Sequence, residues 1–240
     1  MTWWPRAVQV MKQTEPVAPS QHRRQVRVSC AALLRLRDDE RYVLFEARSR
    51  PGAFSPPGGV FKYFGPAVDL LDRLGFRGDR WTQVSTDMRA DLRGLLPARS
   101  LPAFHRWFTS GAYREDASEC LRRKLSEELL EIGYPGLASS VQKARFEPLH
   151  VIVEKQLPVQ GQEYRQWRHL EVHDLMCTDK EALRLRTELV ALTAEAAART
   201  VIAATPEDIR HGRAGRSLLT PTTSYLVGEK RIRHDIPPVR

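Results

Sequence analysis

The stretch Arg123-Lys124-Leu125-Ser126-Glu127-Glu128 decides how this 240-residue chain is to be read. It lies in residues 116–132, where Leu121, Leu125, Leu129 and Ile132 recur at helical spacing and make one face apolar. Asp116, with Glu119 three residues on, supplies an N-terminal cap, and Gly133 supplies a stop. A helix turns by about 100° per residue. On that wheel Glu128 falls at the edge of the buried face, and Lys124, Glu131 and Glu127 lie progressively further round the same flank. A partly buried carboxylate needs a partner. Mg²⁺ qualifies, because it takes oxygen ligands and keeps waters and phosphates in its shell. Lys124 qualifies too, four residues before Glu128 and three before Glu127. The plain alternative is a solvated flank on which Lys124 simply pairs with these acids.

Upstream of this helix, Val26, Val28, Cys30, Ala32, Leu34 and Leu36 alternate as one face of a strand. Asp38-Asp39-Glu40 makes a polar turn, and Tyr42-Val43-Leu44-Phe45 reads as the return strand of a hairpin. Arg48 to Gly59 is rich in Pro and Gly and reads as a loop, with a further strand beginning at Val60. Between 65 and 110, a short helical pattern from Pro66 to Leu74 and an amphipathic one from Leu101 to Phe108 indicate a packed insertion. Downstream, residues 146–157 and 167–177 read as strands. Thr178 to Ala204 reads as one long helix opened by the box Thr178-x-x-Glu181, and Thr205-Pro206 starts another short one. Residues 1–24 are expected to form a flexible arm, 25–228 the domain and 229–240 a basic tail. The order predicts an α+β fold, an α/β/α sandwich with a mixed sheet between helices.

Composition narrows the function classes. The formal net charge is +9, and a basic surface favours anionic partners: nucleotides, nucleic acid or anionic lipid. The arginines are spread along the chain rather than gathered in one run, which equally suits a basic composition with no single target. No stretch reaches the roughly 18 apolar residues of a membrane span. Three scattered cysteines, Cys30, Cys120 and Cys177, with no CxxC, argue against a disulfide framework or a zinc cluster and point to a reducing cytoplasm.

Pro57-Gly58-Gly59, then Glu115, seven residues, and Arg123-x-Leu125-x-Glu127-Glu128 resemble the Nudix box. That pattern runs Gly, five residues, Glu, seven residues, Arg-Glu-aliphatic-x-Glu-Glu-x-Gly-aliphatic. Three features depart from it. Lys124 stands where the family has glutamate, Leu130 where it has glycine, and about fifty residues separate the diglycine from the helix. The insertion, the chain length and the stretch after Thr205-Pro206-Glu207-Asp208 are similar to SMODS-associated Nudix domains, which belong to bacterial antiviral systems that signal with nucleotide second messengers. A second register aligns Gly133 with the family glycine and places Glu127 and Glu131 as the acids. It loses the arginine, and the first register keeps Cys120, Leu121, Leu125 and Leu129 in packing positions.

The resemblance implies hydrolysis of a nucleoside diphosphate linked to another group. Glu127 and Glu128, with Glu131, would hold Mg²⁺ or Mn²⁺, and Arg123 would orient the acids by a bidentate pair. Gly58 and Gly59 would admit phosphate to the backbone amides. Lys124 cannot ligate while protonated, but it can hold a phosphate as a point charge. The expectation is therefore a domain that binds a nucleotide, or a cyclic oligonucleotide, better than it cleaves it. Proteins of a nucleotidyltransferase system are the implied partners, and the metal is retained or lost according to how Lys124 sits. An active pyrophosphohydrolase and a basic nucleic-acid-binding protein are the alternatives. His169, Glu171 and His173 alternate on one strand face, read here as solvated, with a ligand or metal role as the sharper option; Trp167 on the same face reads as packed, with stacking on a base as its sharper option. Arg77, Arg80, Arg89 and Arg93 of the insertion read as solvated surface.

Overall fold

The structure, a computed structural model, describes residues 25–48, 50–79, 90–195 and 199–235. The arm expected at 1–24, Arg80, Arg89 and the last residues of the expected tail lie outside them. In chain order the strands are β1 (Gln25–Arg35), β2 (Arg37–Asp38), β3 (Arg41–Glu46), β4 (Ala53–Ser55), β5 (Gly58–Val60) and β6 (Lys62–Tyr63). Helix α1 (Val68–Leu74) and strands β7 (Arg77–Gly78), β8 (Ala90–Asp91) and β9 (Arg93–Pro97) follow. Next come helices α2 (Leu101–Ser110), α3 (Ala117–Glu131) and α4 (Pro135–Val141), then β10 (Phe146–Val153), β11 (Leu157–Pro158) and β12 (Arg165–Leu175). Helix α5 (Lys180–Ala191), β13 (Val201–Ala204), α6 (Pro206–His211), β14 (Arg213–Ala214), β15 (Ser217–Leu219) and α7 (Ser224–Val227) complete the chain. The fold is α+β, as expected.

Strand β1 is the hub. Almost every residue of it is buried, because it is central and covered on both faces. It pairs in parallel with β12, from Val26 opposite Arg165 to Arg35 opposite Asp174. On its other edge it pairs antiparallel with β9 and then with β5, where Ala32 faces Gly59. The resulting sheet runs β10-β12-β1-β9-β7 and is mixed. Its face bearing Val26, Val28, Cys30, Ala32 and Leu34 meets the main core, to which α3 contributes Cys120, Leu121, Leu125 and Leu129. The opposite face, through Ala31, Leu33, Leu170 and Val172, packs on Tyr225 of α7. The 65–110 segment is built into the same core: Leu71, Phe76, Leu92, Leu96, Phe104 and Phe108 are all buried in it.

Three sequence readings change. The return strand β3 does not pair with β1; it forms a tight hairpin with β2, Arg37 opposite Tyr42, in a second sheet ordered β13-β3-β4-β15-β14. Both edges of β1 are already taken, so the hairpin turns away. The loop expected from Arg48 to Gly59 contains β4 and β5, each three residues long. The long helix from Thr178 to Ala204 is instead α5, a 3₁₀ turn and strand β13. Its cap is Asp179, which accepts from the Ala182 amide at 2.8 Å. Its apolar stripe ends at Leu192, and the β-branched Val201 and Ile202 gain more by pairing with Phe45 and Leu44. The tail after Gly228 is tied down as far as Asp235: Arg231 and Arg168 both bond Glu154 and Asp235, and Tyr225 donates to Glu154.

Helix α3 follows its sequence closely. Asp116 accepts from the Glu119 amide at 2.8 Å, and the Glu119 carboxylate accepts from the Asp116 amide at 2.9 Å, a reciprocal cap. Gly133 takes φ +88 just past the end. The helix lies over β5 because that strand is diglycine. A Cβ on Gly59 would come within 2.5 Å of the Lys124 side chain, and one on Gly58, at φ +130, within 2.3 Å of the Ala32 carbonyl oxygen. Gly58→Ala is therefore expected to destabilise the domain by about 1–3 kcal/mol, read as a lower midpoint in urea. An unchanged midpoint would show that β5 is free to shift.

Candidate functional site

Glu128 sits against the diglycine turn. Its carboxylate accepts from the Gly58 amide, while Oε2 is enclosed and has no hydrogen-bond partner among the described residues. Burial drives its pKa up, against the opposing pull of Lys124, Arg48 and the Gly58 amide, to about 8. At neutral pH this carboxyl is largely protonated.

Lys124 packs its methylenes over Gly59 and ends with Nζ 2.7 Å from Glu127 Oε2. The other oxygen of Glu127 lies 3.3 Å from Arg123 Nη1. Burial alone would raise the Glu127 pKa, but these two cations outweigh it and hold the group below its usual range. Arg123 grips Glu115 rather than the pair at 127–128: Nε to Oε1 is 2.7 Å and Nη2 to Oε2 is 2.8 Å. Its Nη2 also reaches the Val60 carbonyl at 3.0 Å, and Glu115 accepts from the Lys62 amide at 2.9 Å. The expected bidentate clamp thus exists, on a buried acid that joins the start of α3 to β5 and β6. Glu131 is paired with Arg48, whose Nε lies 2.6 Å from Oε2.

A resident divalent ion does not fit this donor set. Both oxygens of Glu127 face cationic side chains, Glu131 is held by Arg48, and Glu128 favours its protonated form. Among the described residues no three His, Cys, Asp or Glu side chains converge as metal ligands. The ammonium of Lys124 already neutralises Glu127 and pulls on Glu128. Among the expected site residues, Arg123, Lys124, Glu127, Glu128, Gly58 and Gly59 are brought together, and Glu131 stands apart with Arg48. A cavity of about 690 Å³ lies elsewhere, lined by residues such as Tyr134, Lys143, Arg145 and Arg184.

A second group lies on the same sheet face. Val151, Glu171, Ala32 and Gly59 stand opposite one another in a row across four strands, so Glu171 is separated from the Lys124 platform only by Ala32 on β1. The strand face read as solvated is in fact closed over: His169 and His173 are buried, as is Trp167. Glu171 lies 3.6 Å from His169 Nε2, 3.7 Å from His173 Nε2 and 3.6 Å from Arg114. The Arg114 guanidinium sits over the Phe108 ring at 4.0 Å and the Phe61 ring at 4.9 Å. His169 Nδ1 approaches His105 Nε2 at 3.3 Å, and His173 Nδ1 has no partner among the described residues. Of the insertion arginines, Arg77 is exposed and Arg93 half-buried. Arg48, His105 and Arg114 were missed by sequence reading, because nothing in their local pattern signals partners 83, 64 and 57 positions away.

A diglycine strand under a helix that carries Arg-x-Leu-x-Glu-Glu, in an α+β fold, defines a Nudix-type domain. The family model of the SMODS-associated NUDIX domain matches residues 25–227, and the chain belongs to that family. No curated protein and no solved structure matches it significantly. No helix among the described residues is long and apolar enough to cross a membrane.

Burial would raise the Glu171 pKa, but the His169 and His173 rings at 3.6 and 3.7 Å and the charge of Arg114 bring it down to about 2. A depressed carboxylate stabilises the fold above its unfolded value, and that stability is lost as pH falls through the folded value. The wild-type chain should therefore lose stability between pH 4.5 and about 2. Glu171→Gln should be less stable at pH 7 and shallower across that window, measured by tryptophan fluorescence in urea. Identical pH profiles for the two proteins would contradict the arrangement.

Proposed function

We propose that this domain binds the phosphates of a nucleotide or cyclic oligonucleotide through Lys124 and the diglycine backbone, and that it hydrolyses them poorly or not at all. The observation that carries this reading is Lys124 Nζ, 2.7 Å from Glu127 and packed on Gly59. An ammonium has three donors, and Glu127 takes one, which leaves capacity for a phosphate oxygen. The same charge opposes a divalent ion at these acids. The net charge of +9 favours an anionic guest. Membership of the SMODS-associated NUDIX family supports a reading in which the ligand is a nucleotide signal of a bacterial antiviral system, a nucleotidyltransferase is the functional partner and the site of action is the cytoplasm.

The chemistry assigned to the residues is modest. Arg123 with Glu115 positions the helix start. Glu127 orients the Lys124 ammonium, which neutralises phosphate charge. Glu128 in its protonated form adds no negative charge that would repel the anion. A catalytic reading draws on one feature, the unpartnered Oε2 of Glu128 beside the Gly58 amide.

Calorimetric titration with linear nucleotides and cyclic di- and trinucleotides, with product analysis on the same samples, separates the two. The expected outcome is saturable binding without turnover in Mg²⁺ or Mn²⁺, weakened about 10- to 100-fold in Lys124→Ala. Turnover that disappears in both Glu127→Gln and Glu128→Gln would overturn the binding assignment in favour of hydrolysis. Binding whose salt dependence demands many phosphate contacts would instead indicate a nucleic-acid surface.

A further inference from the structure

The sheet face opposite α3 carries a row of polar side chains. Arg93 on β9 stands opposite Ser29 on β1, and Ser29 stands opposite Arg168 on β12. Residues paired in this way share one face of a sheet. Arg27, two residues before Ser29 on the same strand, joins them. This is the face of Ala31 and Leu33, turned away from the main core and from Lys124.

The arginines here are matched to carboxylates with one exception. Arg27 bonds Asp79 and reaches Gln166 at 3.0 Å. Arg168 bonds Glu154 at 2.8 Å and Asp235 at 2.9 Å, and Arg231 bonds the same two acids. Arg27, Arg168 and Arg231 thus stand against Asp79, Glu154 and Asp235. Arg93 makes no hydrogen bond and no ion pair among the described residues. It is half-buried all the same, and burial, then the like charge of Arg27, pulls its pKa down. Asp91 and Asp79 act on it only from a distance. Ser29, at the centre of the row, is 7% exposed, and its hydroxyl has no partner among the described residues either.

A guanidinium drawn out of water and left without an acceptor is costly. Its planar fork of N–H donors fits a carboxylate bidentately, and the Ser29 hydroxyl beside it can add a further donor. The uncompensated charge of the row is one. A single carboxylate matches it, whereas a doubly charged phosphate would bring excess negative charge beside Asp79, Glu154 and Asp235. The rim is open: the side chains of Arg27, Asp79 and Asp235 are exposed by 25%, 27% and 30%. We infer that Arg93 and Ser29 form a binding site for an external carboxylate, carried by a free carboxylic acid or by an acidic side chain of a partner protein. The site shares no residue with the Lys124 platform, and neither depends on the other.

Nuclear magnetic resonance of the arginine Nε–H groups in the whole chain tests it. The probes are sodium acetate and a capped tripeptide with a central glutamate, each compared with sodium chloride at equal ionic strength. The Arg93 resonance, identified by its absence from Arg93→Met, should move saturably with a carboxylate probe. Ser29→Ala should weaken that binding about fivefold, and Lys124→Ala should leave it unchanged. Equal binding of the two probes assigns the site to a free acid, and tighter binding of the tripeptide assigns it to an acidic segment of a partner. A resonance that moves no more with either probe than with chloride would overturn the inference. Stability gives a second reading. Arg93→Met should keep or raise the urea midpoint, since no native bond is lost. Ser29→Asp should raise it by supplying the missing carboxylate, and the gain should vanish in the double variant, where a buried acid has lost its partner. Midpoints that fall in both single variants would show two ordinary packing residues and would overturn the site as well.

Discussion

The close approach of one helix to one diglycine strand governs this molecule. Gly58 admits the Ala32 carbonyl and Gly59 admits the methylenes of Lys124, so α3 settles onto β5, which is itself zipped to β1. A side chain at Gly58 would have to push apart backbone, and one at Gly59 would displace the Lys124 side chain. That single fit fixes where the acids of α3 end up: Glu128 against the Gly58 amide, Glu127 under the Lys124 ammonium, and Glu115 locked by Arg123 at the helix entrance. The central strand then carries the arrangement across to β12, where Glu171 gathers two histidines and an arginine.

The charges in this region compensate one another internally. Each acid that the family pattern would assign to a metal has its own protein partner or holds its proton. A buried acid next to a lysine costs less than one facing another acid, and Lys124 reduces the mutual repulsion of neighbouring carboxylates without an external ion. Such a site is already assembled before a ligand arrives. Its remaining capacity is for an anion, since the ammonium keeps donors that Glu127 does not use.

Much of the fold could be read from residues alone where local chemistry is strong. The reciprocal cap of Asp116 and Glu119, the stripe Leu121, Leu125 and Leu129, the short helix at Thr205-Pro206 and the amphipathic stretch from Leu101 each specify their own structure. What could not be read depends on distant pairing. Tyr42 to Phe45 alternates well for either sheet, and only the occupied edges of β1 send it to the second. Ala191 to Ala204 has helix-forming alanines throughout, yet Val201 and Ile202 find strand partners in β3. The same holds for the site. Neighbours along α3 were visible in its spacing, whereas Arg48, Arg114 and His105 arrive through tertiary folding. The enclosure of His169 required α2 of the insertion, which no strand periodicity announces.

Binding of inorganic pyrophosphate in excess chelator, followed by calorimetry, goes most directly to the role of Lys124. If its ammonium substitutes for a metal cation beside Glu127, pyrophosphate should bind saturably with every divalent ion removed, and Lys124→Ala should abolish that binding. Pyrophosphate that binds only once Mg²⁺ or Mn²⁺ is returned would contradict it, and would restore the acids of α3 to the metal.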